Sequence, residues 1–154
     1  DYYFLNFPSR MPVKAELPLN LEKSLSKKPQ EVFKSRDFVL VYENLHDVKN
    51  IEIERNIFDT LNLGTGGVII TAPGDNVDFV SRFFAPNLGI KEDPVTGSAH
   101  CLLIPYWYKR LKKNQMLAHQ LSSRGGELFC SYNKDRVRIG GHAITFLKGE
   151  IILT

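Results

Sequence analysis

The run Glu92-Asp93-Pro94-Val95-Thr96-Gly97-Ser98-Ala99-His100 sets a carboxylate and a hydroxyl at the entrance to a long apolar segment. That pairing can hold and polarise an organic acid. Pro94 biases Asp93 away from helical dihedrals, and Thr96-Gly97-Ser98 can open a helix whose first amides lack an intrahelical acceptor. Such amides, with the positive end of the helix dipole, favour an anion by about 0.3–1 kcal/mol at an exposed site. Asp93 is the candidate catalytic residue, and Thr96, Gly97 and Ser98 are the candidate substrate-binding residues. Asp and Ser are also ordinary helix-start residues, so the same letters fit a dipole-complementing charge and a capping hydroxyl. Glu92 either touches the ligand or sits in a solvated loop. His100, three residues into the helix, reads as a packed imidazole or as a general base.

Other chemistries find less support. The four histidines, His46, His100, His119 and His142, have no metal-ligand spacing, and Cys101 and Cys130 do not form a close pair, so no metal site is expected. Gly64-Thr65-Gly66-Gly67 lacks the Lys-Ser/Thr of a phosphate cradle and reads as a turn. A net charge of +3, with 20 basic residues mixed among 17 acidic ones, argues against nucleic acid as a partner. The basic run from Lys109 to Lys113 fits the C-terminal end of a helix, where cations complement the dipole. Two cysteines cannot build a disulfide framework, which points to a reducing, cytoplasmic setting. No apolar stretch reaches the ~18 residues of a membrane span.

These side chains need elements to position them, and 154 residues with 43% hydrophobic composition suffice for one domain. The apolar residues of 97–112 cover every side of a helical wheel, so that helix must be enclosed; Pro105 inside it removes one backbone donor. Strands are expected over 2–7, 38–42, 68–71 and 77–84, and helices over 19–25 and 53–61. Four or five short strands follow residue 112, with turns at Gly125-Gly126, Asn133-Lys134-Asp135, Gly140-Gly141 and Lys148-Gly149. Strands on both sides of one buried helix predict an α+β domain, a curled and mostly antiparallel sheet or barrel wrapped around a central apolar helix. The chain opens at Asp1, without Met, directly into strand-like residues, which reads as the interior of a longer protein.

The same segments carry a resemblance. Arg82-Phe83-Phe84-Ala85-Pro86, Gly89-Ile90 and Glu92 to Cys101 resemble the PhzF-like isomerases of the phenazine-biosynthesis family, as do Gly67 to Gly74, Gln120 to Gly126 and Ile139 to Ala143. The resemblance covers nearly all 154 residues and implies one half, the C-terminal one, of a two-lobed diaminopimelate epimerase-like fold with its active site between the lobes. It implies a cofactor-independent isomerase or epimerase that moves a proton on a small carboxylate substrate, with Asp93 and Ser98 in the site. It also implies that the proton-shuttling Glu belongs to an N-terminal half or partner chain, so that this chain alone is incomplete and inactive. The N-terminal half should also carry a Cys-Gly-His-Ala-type segment, which His142, in a strand-and-turn pattern, does not supply. Thr96 stands where thiol-using relatives of the fold carry Cys, which excludes two-thiol chemistry. The alternative is a non-catalytic carboxylate-binding or interaction domain. An exposed half-cleft would leave apolar surface open to a partner, including a second copy.

Overall fold

A computed structural model describes residues 2–86, 89 and 91–152, so Ile90 of the quoted motif lies outside the described residues. The strands are β1 (Tyr2–Pro8), β2 (Val13–Lys14), β3 (Glu31–Lys34), β4 (Phe38–Val41), β5 (Val68–Pro73), β6 (Phe79–Phe84), β7 (Gln115–Gln120), β8 (Gly126–Asn133) and β9 (Arg136–His142). The helices are α1 (Leu19–Lys23), α2 (Leu45–Asn50), α3 (Arg55–Phe58) and α4 (Gly97–Leu111). Among the described residues all nine strands join one sheet, in the order β1-β9-β8-β7-β6-β5-β4-β3-β2. The β4–β5 and β6–β7 pairings are parallel and the rest antiparallel. Each parallel pairing requires a crossover connection. Residues 42–67, with α2 and α3, make the first, and α4 makes the second.

The two crossovers cover opposite faces. In β4 and β5, Val39, Val41 and Ile69 point towards α4, whereas Phe38, Leu40, Val68 and Ile70 point towards the other helices. This is the two-residue alternation of a strand buried on both sides, and it explains why β4 to β6 read as continuous apolar runs. The sheet curls around α4, whose Leu102, Leu103, Ile104 and Trp107 share one core with residues of β4 to β9. Trp107 stacks on Phe79 at 5.6 Å and donates its indole N–H to Thr71 Oγ1 at 3.0 Å.

The sheet is open, which corrects the expectation of a barrel. Its edges, β1 and β2, do not pair with each other. The segment joining them begins and ends at Pro8 and Pro12, which have no N–H to donate. Two of its other donors are spent elsewhere: Ser9 N–H bonds Asp135 O at 2.7 Å and Arg10 N–H bonds Cys101 O at 2.9 Å. The second bond also resolves the cost of Pro105. Proline leaves the carbonyl four residues earlier without its helical donor, and that carbonyl is Cys101 O. Arg10 fills the gap, so α4 runs unbroken through Pro105.

Several shorter elements differ from expectation. The helix expected over 53–61 is only the single turn α3, and among the described residues three strands rather than four or five follow α4. Residues 143–152 have no regular secondary structure. Lys109 and Arg110 do occupy the last turn of α4, and Lys112 caps it in a left-handed conformation with φ 57°.

Candidate active site

The loop entering α4 lies beyond the C-terminal end of β6, next to the end of its parallel neighbour β7. Crevices beyond the carboxyl ends of parallel strands are where open α/β sheets bind ligands. Asp93 is half-buried and anchored by its own N–H to Phe83 O at 3.0 Å, and its carboxylate Oδ2 accepts the Thr96 hydroxyl at 2.5 Å. The first intrahelical bond runs from His100 N–H to Thr96 O at 3.4 Å, which leaves the amides of Gly97, Ser98 and Ala99 ahead of it without a backbone acceptor. A Cβ added at Gly97 would meet open space. Gly97 and Val95 line a cleft of about 580 Å³ together with Tyr3, Leu5, Arg124 and His142.

The candidate residues divide by surroundings. Ser98 is half-buried, and its Oγ accepts a bond from Arg36 Nη2 at 2.9 Å. Thr96 is buried, with its N–H donating to Gln120 Oε1 at 2.8 Å and its hydroxyl turned to Asp93. Glu92 forms a two-pronged pair with Arg82, Nε to Oε1 at 2.7 Å and Nη2 to Oε2 at 2.9 Å. Arg82 Nη1 also reaches Val48 O at 3.2 Å and Ile51 O at 3.3 Å, so this pair ties the loop to the end of α2. His100 is fully enclosed: Nδ1 meets Thr96 O at 2.8 Å, its ring lies 6.0 Å from Phe79, and Nε2 is buried without a partner. A carbonyl can only accept, so the proton sits on Nδ1. Burial lowers the His100 pKa to about 4, offset in part by the Thr96 bond, and the imidazole is neutral near pH 7.

Neither thiol is primed for nucleophilic attack. Burial raises Cys101 above its ordinary value and pushes Cys130 up to about 12. Among the described residues no group of three or more His, Cys, Asp or Glu could hold a metal ion, and no helix is long and apolar enough to cross a membrane.

Two contributors escaped the sequence reading. Arg36 comes from the turn between β3 and β4, where it is held by fully buried Asp37 at 3.0 Å, and Asp37 in turn accepts the Gly67 N–H at 2.8 Å. The Gly-rich run is the bed of this turn, because a Cβ on Gly66 would lie 2.3 Å from Arg36 O. Arg36 and Ser98 are 62 residues apart in sequence, and nothing local in the chain couples them. Gln120, the last residue of β7, is buried and bonds both Asp93 and Thr96. It lies in a segment quoted for the resemblance, but strand periodicity marks it only as an inward-facing position.

Comparison with known proteins identifies the family of this chain. The phenazine biosynthesis-like protein family (PhzC-PhzF) matches residues 8–149. An uncharacterized isomerase of Pseudomonas aeruginosa is 46% identical over 151 residues, 97% of this chain and 57% of that protein. A human phenazine biosynthesis-like domain-containing protein is 42% identical over 137 residues, 79% of this chain and 48% of that protein. The crystal structure of a PhzF-family protein from Enterococcus faecalis superposes with a TM-score of 0.88 at 46% identity, covering 99% of this chain and 58% of that one. A Clostridium difficile structure titled as a putative phenazine biosynthesis PhzC/PhzF protein gives 0.86 at 41% identity, with the same coverage. The chain thus spans a little under three-fifths of these two structures. With nearly all of its own length matched by sequence and by fold, the chain belongs to the phenazine biosynthesis-like family.

Proposed function

We propose that this chain supplies one wall of the active site of an isomerase or epimerase that moves a proton on a small carboxylate-bearing substrate. The observation that carries the reading is the entrance of α4, where Asp93, bonded to the N-cap Thr96, precedes Ser98 and three amides without backbone acceptors. The amides of Gly97 and Ser98, with the Ser98 hydroxyl and Arg36 behind it, hold the substrate's acid group. Asp93 polarises the substrate or receives its proton, and Thr96 serves the site through Asp93. The Pseudomonas relative is named an isomerase, and the chain spans 57% of that protein. The family resemblance implies that a second carboxylate, which carries the proton between carbons, comes from the part of the relatives outside the match. In this reading the chain is the C-terminal lobe, its partner is an N-terminal lobe, and the reaction needs no metal or organic cofactor.

The test joins the unmatched part of the Enterococcus faecalis relative to this chain. Proton NMR in deuterium oxide then follows solvent deuterium entering a panel of small unsaturated and amino-substituted carboxylic acids. The fusion is expected to exchange at least one of them, and Asp93→Asn to slow that exchange by about a hundredfold, the range of a lost acid–base group. Exchange that persists in Asp93→Asn at the parent rate rejects the catalytic role. Calorimetric binding of an acid by the chain, with no exchange in the fusion, favours a carboxylate-binding domain without catalysis.

A further inference from the structure

We propose that Gln120 is a positioning residue that sets the hydroxyl of Thr96, and through it the carboxylate of Asp93, in one fixed orientation. The proposal rests on the isomerase reading, because its purpose is to aim Asp93. Gln120 is 1% exposed, and its side-chain hydrogen bonds go to the loop before α4. Its Oε1 accepts the Thr96 N–H at 2.8 Å, and its Nε2 donates to Asp93 O at 2.7 Å and to Thr96 Oγ1 at 3.1 Å. The two ends of the amide are not interchangeable, since a backbone N–H demands the oxygen and a backbone carbonyl demands the nitrogen.

That fixed amide determines where the Thr96 proton goes. With Gln120 donating to Thr96 Oγ1, the hydroxyl's own hydrogen is directed to Asp93 Oδ2, 2.5 Å away. The result is a one-way chain from amide to hydroxyl to carboxylate, in which each bond polarises the next. The neighbours of Gln120 hold the rest of the loop. Ser122 Oγ donates to Pro94 O at 2.8 Å and accepts the Gly125 N–H at 3.0 Å. Gly126 lies against Val95, where an added Cβ would stand 2.3 Å from Val95 Cγ2. Every residue from Asp93 to Thr96 is therefore braced by residues 120–126. The functional end of α4 is set by the end of β7, more than twenty residues later, and not by its own N-cap Thr96, whose side chain accepts no bond from the amides of the helix.

Two substitutions separate the accepting half of Gln120 from the donating half. Gln120→Glu keeps an oxygen for the Thr96 N–H but cannot donate when ionised, whereas Gln120→Met loses both. In amide hydrogen exchange on the 154-residue chain, Thr96 should exchange about tenfold or more faster in Gln120→Met, while Gln120→Glu keeps its protection. The Trp107 indole resonance reports that the core is intact in each. In the fusion described above, Gln120→Glu should lower the rate of deuterium entry at saturation by about tenfold or more, yet shift KM by less than about threefold, because the amides of α4 still hold the acid. Unchanged Thr96 exchange in Gln120→Met, with the Trp107 signal in place, overturns the bracing role. Parental turnover in Gln120→Glu overturns the orienting role. If no acid exchanges even in the parent fusion, the isomerase reading fails, and Thr96 protection alone then decides whether Gln120 holds the loop.

Discussion

At the residue scale, His100 shows how a titratable side chain near a site can act on stability and leave the chemistry to others. Its pKa in the fold is lowered to about 4 from an ordinary value near 6.5, so the unfolded chain binds a proton that the folded one refuses between these values. The contribution to stability is whole above pH 6.5 and is lost as the pH falls towards 4, by roughly 3 kcal/mol in total. Urea unfolding at pH 7.5 and 4.5 should show a larger drop for the parent than for His100→Phe, in which that proton is gone; equal drops would contradict the assignment. As neighbours of a helix start, Asp93 and Ser98 were legible in the sequence, because Pro94 and the Thr-Gly-Ser run announce it. Arg36 and Gln120 were not, since their roles exist only once β4 and β7 have brought distant loops together.

Elements were legible in proportion to their burial. The strands β4, β5 and β6 are buried along most of their length and α4 from Ala99 to Trp107, and they declare themselves as long apolar runs. In contrast, β2 is two residues long and α3 is one turn, and for pieces so short tertiary contacts outweigh local preference. The strand β3 reads Glu31-Val32-Phe33-Lys34, too polar at its ends to stand out, yet it delivers the turn that carries Arg36. That turn offers a test of one element against another. Gly66→Ala places a Cβ against the Arg36 carbonyl, a backbone atom that cannot swing aside, and should cost about 1–3 kcal/mol as overpacking does. Denaturant midpoints read the loss, and a displaced Ser98 amide resonance would show that the helix entrance has felt it. An unaltered midpoint would mean the two loops give way more easily than their contact suggests.

On the scale of the whole molecule, the curled sheet leaves apolar surface at one end. Tyr2, Tyr3, Phe4 and Leu5 of the edge strand β1 are between 46% and 61% exposed, and Ile144, Phe146, Leu147, Ile151 and Ile152 beyond β9 are more than 80% exposed. An edge strand with free backbone groups beside such a segment invites pairing with another chain. Sedimentation velocity should therefore find concentration-dependent association of the isolated chain. Replacing Ile144 and Phe146 by Asp should weaken it, and a parent that stays monomeric throughout would show that this surface is quiet.

The pairing of β1 with β9 joins Tyr2 to His142 and Pro8 to Arg136 across almost the entire length of the chain. A ribosome delivers residues at about 5–20 per second, so β1 must wait on the order of ten seconds after emerging before its sheet partner exists. Throughout that interval the apolar strand is in search of a neighbour, and Arg10 has no Cys101 carbonyl to stitch until α4 arrives. The share of newly made protein that reaches its native state is then expected to respond to translation rate and chaperone supply as well as to the stability of the finished fold.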